Sequence, residues 1–434
     1  MKYIGIRNED KYAAETRSPL TPACVKKIIN ESGLKFIVQS SEKRIFSDKE
    51  FIDAGAFVKT DLKECDVIIG IKEVPLDSLY KDKTYMFFSH IIKGQPHNMP
   101  MLKKMMELKC NLIDYEKITD EQGKRLIFFG KYAGLAGMIN SLWALGLRLE
   151  HLGYKTPFLK IKQAHKYFSL EEAKKEISEV GHEILKDGIP SELKPFVIGI
   201  TGYGNVSNGA KEICDLLPVK EILPEELENL KAKSKNENII YKTTFKEEHI
   251  SRHKEDCSNF DLSDYYKNPY KYHNAFEKYL PHISVLINGM YWDPKFPRII
   301  TKNIAGKYFN EGISKLMVIG DITCDIEGSI ELTVKATSID TPLFVYNPKT
   351  NEIEMGHKGT GILVMAVDIL PSELPRDSSM WFSHVLCNYV KPLAEADFSK
   401  TFGKINLPAS IKKALILHKG KLTNNYKYIE NFIK

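Results

Sequence analysis

Lys72 and Glu73 directly follow the apolar run Val67–Ile71, and His90 stands just past a second run, Tyr85–Phe88. In an open parallel sheet, ligands gather beyond the carboxyl ends of the strands. Two ionisable groups after two successive strands are therefore placed to act together. A lysine among other charges can have its pKa lowered, and histidine titrates near neutrality unaided. Those are the properties of an acid/base couple working near pH 7. Arg17 lies in Glu15–Pro22, the first strand-to-helix turn, and Arg125 precedes another apolar run. Either guanidinium can clamp a carboxylate through two parallel hydrogen bonds. Asp321 ends a further strand-like run and could meet an amine, with Asp325 and Glu327 as neighbouring alternatives.

A second kind of chemistry is written at Pro195–Ser207. The apolar run Phe196–Ile200 reads as a buried strand, Gly202 and Gly204 as a tight turn, and Asn205–Leu217 as a helix. Strand, glycine turn and helix in that order form the context of a dinucleotide site. Gly202 permits the turn, Gly204 lets backbone approach a pyrophosphate, and the helix N-terminus offers amide donors. Asn205 and Val206 open that helix, and Ser207 stands where a third small residue is usual. After the next strand, near Leu223–Pro224, no acidic residue marks the ribose position; Glu221 is inside the strand. That absence favours NADP over NAD, although no arginine stands there to grip a 2′-phosphate.

These residues need elements to hold them. Residues 1 to about 135 read as alternating strands and helices. Tyr3–Ile6, Phe36–Val38, Val67–Ile71, Tyr85–Phe88, Leu112–Ile113 and Leu126–Phe129 are the expected strands, and Met99–Lys109 is an expected helix. Thr21–Pro22 opens a helix that Gly33 closes. Such alternation predicts a parallel sheet covered on both faces. A long helix is expected from Gly130 to about Leu152, with Ala133, Gly134, Ala136 and Gly137 suited to close packing. Further strands are expected at Val219–Leu223, Ile283–Ile287, Leu316–Ile319, Ser329–Val334 and Leu343–Tyr346, and helices at Asp377–Tyr389 and Ala409–Leu417. The polar stretch at 224–279 has little periodicity and reads as an excursion over the surface. The expected fold is α/β: two Rossmann-like domains with parallel sheets and a cleft between them. Residues 1–136 plus 377–434 form the catalytic domain, and the dinucleotide-binding domain, 137–376, is inserted in the second half.

The chain has 434 residues, 43% hydrophobic and 27% charged, and a net charge of +6 spread without a basic block. That is ordinary globular composition and argues against a nucleic-acid partner. No apolar run reaches the roughly 20 residues of a membrane span, and Met1–Arg7 begins a strand without leader character. Seven scattered cysteines contain no Cys-x-x-Cys pair, so no metal site is expected, and reduced thiols in a cytoplasmic compartment are.

At this point a resemblance becomes specific. Arg17–Pro22, Ile71–Glu73, Phe87–Gln95, Asp114–Glu116, Phe129–Ile139, Thr201–Ser207, Asn288–Trp292, Asp321–Asp325 and Val367–Arg376 occur in one order. Together they resemble the lysine–2-oxoglutarate reductase domain of the enzymes that make or cleave saccharopine, within the alanine dehydrogenase / pyridine nucleotide transhydrogenase-like superfamily. The likeness runs from residue 3 to about 395. It implies that Lys72 and His90 are the acid/base pair, that Arg17 and Arg125 hold substrate carboxylates, that Glu73 tunes the lysine, and that Asp321 lies near the lysine substrate. It implies that Gly202, Gly204, Asn205, Val206 and Ser207 form the cofactor turn. The implied enzyme joins L-lysine to 2-oxoglutarate and reduces the imine with NADPH to saccharopine. An NAD-linked, lysine-forming dehydrogenase and a non-catalytic nucleotide-binding sensor are the alternatives. Because the chain ends at Lys434, a glutamate-forming saccharopine dehydrogenase is expected as a separate protein.

Overall fold

The computed structural model describes residues 2–232, 237–255 and 260–433. The chain divides into two compact units, residues 1–129 with 375–434, and residues 130–374. In the first, β1 (Tyr3–Ile6), β2 (Lys35–Gln39), β3 (Phe57–Lys59), β4 (Val67–Ile69), β5 (Thr84–Phe87) and β6 (Asn111–Asp114) pair in parallel, in the order β6-β5-β4-β1-β2-β3. The order reverses between β1 and β4, the switch point of a doubly wound sheet. β5 is buried at all four positions. Near-continuous burial is what a parallel strand covered on both faces requires. Thr21 caps α1 (Pro22–Ser32) by accepting from the Cys24 amide, and Gly33, at φ 66, ends it. α2 (Asp48–Asp53) buries Phe51, and α3 (Met99–Glu107) buries Leu102 and Met105, in the same core.

The expected strand at Leu126–Phe129 does not form; only Arg125 makes an isolated bridge, to Thr119. Its aromatic side chains find better partners than a ladder. Phe129 stacks on Phe382 at 4.5 Å and 5°, and Phe128 packs on Trp381.

In the second unit the strands are β7 (Val197–Thr201), β8 (Val219–Ile222), β9 (Ile240–Phe245), the small hairpin β10 (Ser251–His253) and β11 (Tyr272–Asn274), then β12 (Val285–Asn288), β13 (Val318–Asp321), β14 (Leu343–Asn347), β15 (Glu352–Met355) and β16 (Ile362–Met365). The sheet order is β15-β14-β16-β13-β12-β7-β9-β8. β14 runs antiparallel to both of its neighbours, β15 and β16; the other pairs of this sheet are parallel. Two expectations fail here. The stretch 224–279 is no mere surface excursion, since it contributes β9, between β8 and β7. Lys242 concealed that strand: its ammonium is buried but paired with Asp215 at 2.5 Å and Glu221 at 3.3 Å. Ser329–Val334 forms no strand: beyond a single bridge of Ile330 to Ile300 its backbone turns, the Thr333 amide donating to the Ile330 carbonyl at 3.1 Å and the Val334 amide to that of Leu332 at 3.0 Å.

α4 (Gly130–His151) and α5 (Leu170–Asp187) precede α6 (Asn205–Cys214). α4 and α6 touch through backbone. A Cβ on Gly134 would lie 1.9 Å from the Val206 carbonyl oxygen, and one on Gly209 would lie 2.1 Å from that of Lys131.

The chain returns to the first unit with the helix Pro375–Glu395, whose Phe382, Leu386 and Val390 enter the first core. Its Ser379 and Ser383 hydroxyls accept from the amides of Ser18 and Thr21. The expected helix at Ala409–Leu417 is shorter, ending at Lys413. β17 (Leu415–His418) and β18 (Lys421–Leu422) then extend the first sheet beyond β6, antiparallel. Each sheet is thus parallel with an antiparallel edge. Among the described residues no helix is long and apolar enough to cross a membrane.

Candidate functional site

The carboxyl ends of β1, β4, β5 and β6 lie side by side, and the residues that follow them form one charged cluster in the first unit. His90, after β5, has φ 48, an uncommon conformation for a residue with a side chain. Its Nδ1 lies 2.8 Å from Glu73 Oε1, and its ring stacks on Phe88 at 6.3 Å and 13°. Its Nε2 lies 4.0 Å from Glu116 Oε1. Glu73 Oε1 also meets Lys11 Nζ at 2.6 Å and accepts from Asn98 Nδ2 at 3.3 Å. Burial pushes the Glu73 carboxyl up, but the His90 and Lys11 contacts outweigh it and hold the group at about 2. An ionised carboxylate on Nδ1 fixes that nitrogen as the N–H and leaves Nε2 to exchange a proton.

The sequence reading gave Glu73 to Lys72 as its tuning partner. The structure places Glu73 with His90, Lys11 and Asn98, since its carboxyl end turns toward β5. Lys72 reaches the cluster through Tyr12, whose ring centroid lies 5.9 Å from Lys72 Nζ and 5.2 Å from Lys11 Nζ. Burial raises the Glu15 carboxyl, and Arg17 and Lys72 hold it below its usual range. Arg17 is buried, commits Nε and Nη2 to Glu15 at 2.7 and 2.5 Å, and lies 4.1 Å over the Phe129 ring. Arg125 is half exposed, its Nη2 3.3 Å from Glu116. Lys72, His90, Arg17, Glu73 and Arg125 therefore share one neighbourhood.

The sequence reading missed Lys11, Tyr12, Asn98 and the buried carboxylate Glu9, and it gave Asp114 and Glu116 no role beyond the motif that holds them. A signal existed for most of them. Lys11 and Tyr12 follow β1, and Glu116 follows β6, as Lys72 follows β4.

In the second unit, β7 is buried throughout and ends at Thr201. Gly202 has φ 84 and donates its amide to the Phe245 carbonyl at 2.8 Å. A Cβ there would lie 3.0 Å from Ser207 Oγ and 3.2 Å from Met290 Cα. Gly204 is different: its φ is −79, and nothing lies within 4 Å of a Cβ placed on it. No side chain caps α6. Its first amides, at Asn205 and Val206, are thus left for a ligand, as a pyrophosphate site requires. A nicotinamide dinucleotide fits this turn. Ser207 is turned inward, its hydroxyl donating to the Thr201 carbonyl at 2.8 Å, so it closes the turn from beneath.

β9, not β8, lies beside β7, so Lys246, Glu247 and Glu248, and not Leu223–Pro224, follow the strand next to the glycine turn. Glu247 accepts from Tyr266 at 2.7 Å. Lys211 on α6 is lowered by burial and by Lys242 and Lys246, against Glu221 and Asp215.

Asp321 is fully buried. Its Oδ1 accepts from Asn288 Nδ2 at 2.9 Å and Thr323 Oγ1 at 2.7 Å, and its Oδ2 from Thr333 Oγ1 at 2.6 Å. Asn288 in turn accepts from Thr201 Oγ1 at 2.7 Å. Asp321, expected near a substrate amine, is the carboxylate that ties together the ends of β7, β12 and β13. Asp325 and Glu327 are exposed, and Glu327 pairs with Lys302. Among the described residues no group of His, Cys, Asp or Glu could hold a metal ion. Cys257 lies outside the described residues.

Residues 5–136 match the alanine dehydrogenase/PNT N-terminal domain, and residues 225–425 its C-terminal domain. The chain belongs to the alanine dehydrogenase/PNT family. It is 39% identical over 447 residues to alpha-aminoadipic semialdehyde synthase of Arabidopsis thaliana, covering 99% of this chain and 41% of that protein. It is 36% identical over 443 residues to the mitochondrial alpha-aminoadipic semialdehyde synthase of Bos taurus, covering 98% and 47%. The chain spans less than half the length of both. The saccharopine dehydrogenase [NAD(+), L-lysine-forming] of Emericella nidulans is 26% identical over 399 residues, covering 88% of this chain and 90% of that one. A solved L-alanine dehydrogenase shares the fold, with TM-score 0.62 and 16% identity over all of both chains.

Proposed function

We propose that this chain is an oxidoreductase that condenses L-lysine with 2-oxoglutarate and reduces the resulting imine with NADPH to saccharopine, reversibly. The observation that carries the reading is the single cluster of Lys72, His90, Arg17, Glu73 and Arg125 at the ends of β1, β4, β5 and β6. Near-complete coverage by the alpha-aminoadipic semialdehyde synthases supports it.

The side-chain ammonium of lysine must lose a proton before its nitrogen can attack the keto carbon, and Lys72 takes that proton. His90 Nε2 moves a proton from the nitrogen to the oxygen as the carbinolamine forms. The proton that Lys72 took then passes to the departing hydroxyl, so water leaves and the iminium keeps its N–H, ready for hydride. Glu73, ionised on Nδ1, steadies the imidazolium between these transfers. Arg17 and Arg125 bind carboxylates, and the cation Lys11 favours an anionic keto acid. Gly202, Gly204, Asn205 and Val206 would hold the dinucleotide, with Ser207 bracing the turn. When bound, the reduced nicotinamide supplies hydride to the imine carbon. Lys246, directly after β9, and Lys211 on α6 support a 2′-phosphate and hence NADP. NAD is the second reading, supported by Glu247 beside them and by the Emericella nidulans relative. A cytoplasmic location is part of the proposal, supported by six free thiols.

The test is loss of nicotinamide absorbance with L-lysine and 2-oxoglutarate, each component omitted in turn, and initial rates with NADPH against NADH. Lys72→Met with His90→Gln should lower turnover by at least a hundredfold without unfolding the chain. Wild-type rates in that variant would remove both residues from the mechanism. Dinucleotide binding without turnover on any amino acid and keto acid would favour a sensor.

A further inference from the structure

Two buried carboxylates of the first unit have no part in the proton transfers above, yet each grips the backbone that carries one of the transferring groups. Glu9 is 3% exposed. Its Oε1 accepts from the Ile71 amide at 2.7 Å and its Oε2 from the Lys72 amide at 2.9 Å. Arg7 Nη1 lies 3.3 Å from the same Oε2 and donates to the Lys72 carbonyl at 3.4 Å. The segment entering Lys72 is thus held by both its N–H and its C=O groups. Gly70 makes room for the clamp: a Cβ there would lie 2.6 Å from Arg7 Cδ and 3.2 Å from Glu9 Oε1.

Asp114, fully buried at the end of β6, does the same beside His90. Its Oδ2 accepts from the Ser89 amide at 3.1 Å and from the Ser89 hydroxyl. Its Oδ1 accepts from the Glu116 amide at 2.8 Å. Ser89 is the residue before His90, whose backbone enters the left-handed region, and such a conformation persists only where its surroundings enforce it. The same carboxylate also sets the backbone of Glu116, the neighbour of His90 Nε2.

We propose that Glu9 and Asp114 are positioning residues for the reaction, each clamping the amide backbone under one proton-transfer side chain: Glu9 under Lys72, and Asp114 under His90. The inference rests on the proposed function. A carboxylate suits the task because its two oxygens accept from two amides at once. A carboxamide of the same size offers one acceptor and turns a donor toward the second amide. Burial raises both carboxyls, Asp114 to about 6.

The experiment uses the full chain with Glu9→Gln and Asp114→Asn. NADPH affinity, followed by its fluorescence, should be unchanged, because the turn lies in the other unit. kcat should fall by about ten- to a hundredfold, since a small misplacement of a reacting group costs that much. The KM for L-lysine should stay within about threefold, and the pH profile of kcat/KM should shift. Amide exchange should quicken at Ile71 and Lys72 in the first variant and at Ser89 and Glu116 in the second. If either variant fails to fold, Glu9→Asp and Ser89→Ala weaken the same clamps more gently and should move the same quantities less. An active wild type whose variants keep kcat and the pH profile overturns the inference alone. A wild type with no turnover on L-lysine and 2-oxoglutarate overturns the proposed function, and the inference with it.

Discussion

Gly204→Ala separates the fold from the cofactor with one methyl group. A Cβ there meets nothing within 4 Å, and φ −79 is an ordinary backbone angle for alanine. Two small effects on folding oppose each other. Losing glycine's freedom in the unfolded chain stabilises by about 0.4–1 kcal/mol. Placing alanine at the cap of α6 costs about the same. The net change in stability should therefore stay within about 1 kcal/mol. Binding is another matter. On the proposed reading of the turn, the methyl stands where a pyrophosphate approaches the α6 amides, and losing one charge-assisted hydrogen bond costs about 1.5–3 kcal/mol. The dissociation constant for NADPH should rise at least about tenfold. Fluorescence titration measures the second quantity, and thermal unfolding without ligand the first. An unchanged dissociation constant would refute the assignment of the turn. A large drop in melting temperature would refute the open space above Gly204.

Gly134→Ala should behave in the opposite way. Its Cβ would lie 1.9 Å from the Val206 carbonyl oxygen, so α4 and α6 must separate, at about 3 kcal/mol or more. Thermal unfolding should show the loss without ligand, and a melting temperature equal to wild type would contradict the contact. Glu73→Gln tests the His90–Glu73–Lys11 contacts through pH. A carboxyl held at about 2 against an ordinary 4.5 stabilises the fold fully above 4.5, and that contribution fades as pH falls toward 2. The urea midpoint of the variant should lie below wild type at pH 7, and the gap should narrow from pH 4.5 downward. A gap that stays constant over that range would refute the depressed carboxyl.

The sequence was legible where chemistry and local geometry coincide. An apolar run followed by Gly202-Tyr-Gly204 has few structures open to it, and β7, the turn and α6 form as read. Thr21, Pro22 and Gly33 bound α1 for equally local reasons. Lys72 and His90 could be placed because a strand's end is visible in the sequence. The sequence misled where a residue's partner lies far along the chain. Lys242 reads as surface, yet Asp215 and Glu221 make it part of a buried strand. Leu126–Phe129 reads as a strand, yet Phe382, some 250 residues later, draws it into an aromatic cluster.

The amino-acid order alone therefore determined the α/β class, the glycine turn between β7 and α6 and the choice of a candidate acid/base pair, since each depends on neighbours within a few residues. Only the folded chain decided that Glu73 serves His90, that Asp321 is sealed among hydroxyls, that β9 rather than β8 adjoins β7, and that Glu9 and Asp114 lie beneath Lys72 and His90. Those arrangements are contacts between strand ends distant in sequence, and a carboxylate's partner is fixed by which strands the sheet sets side by side.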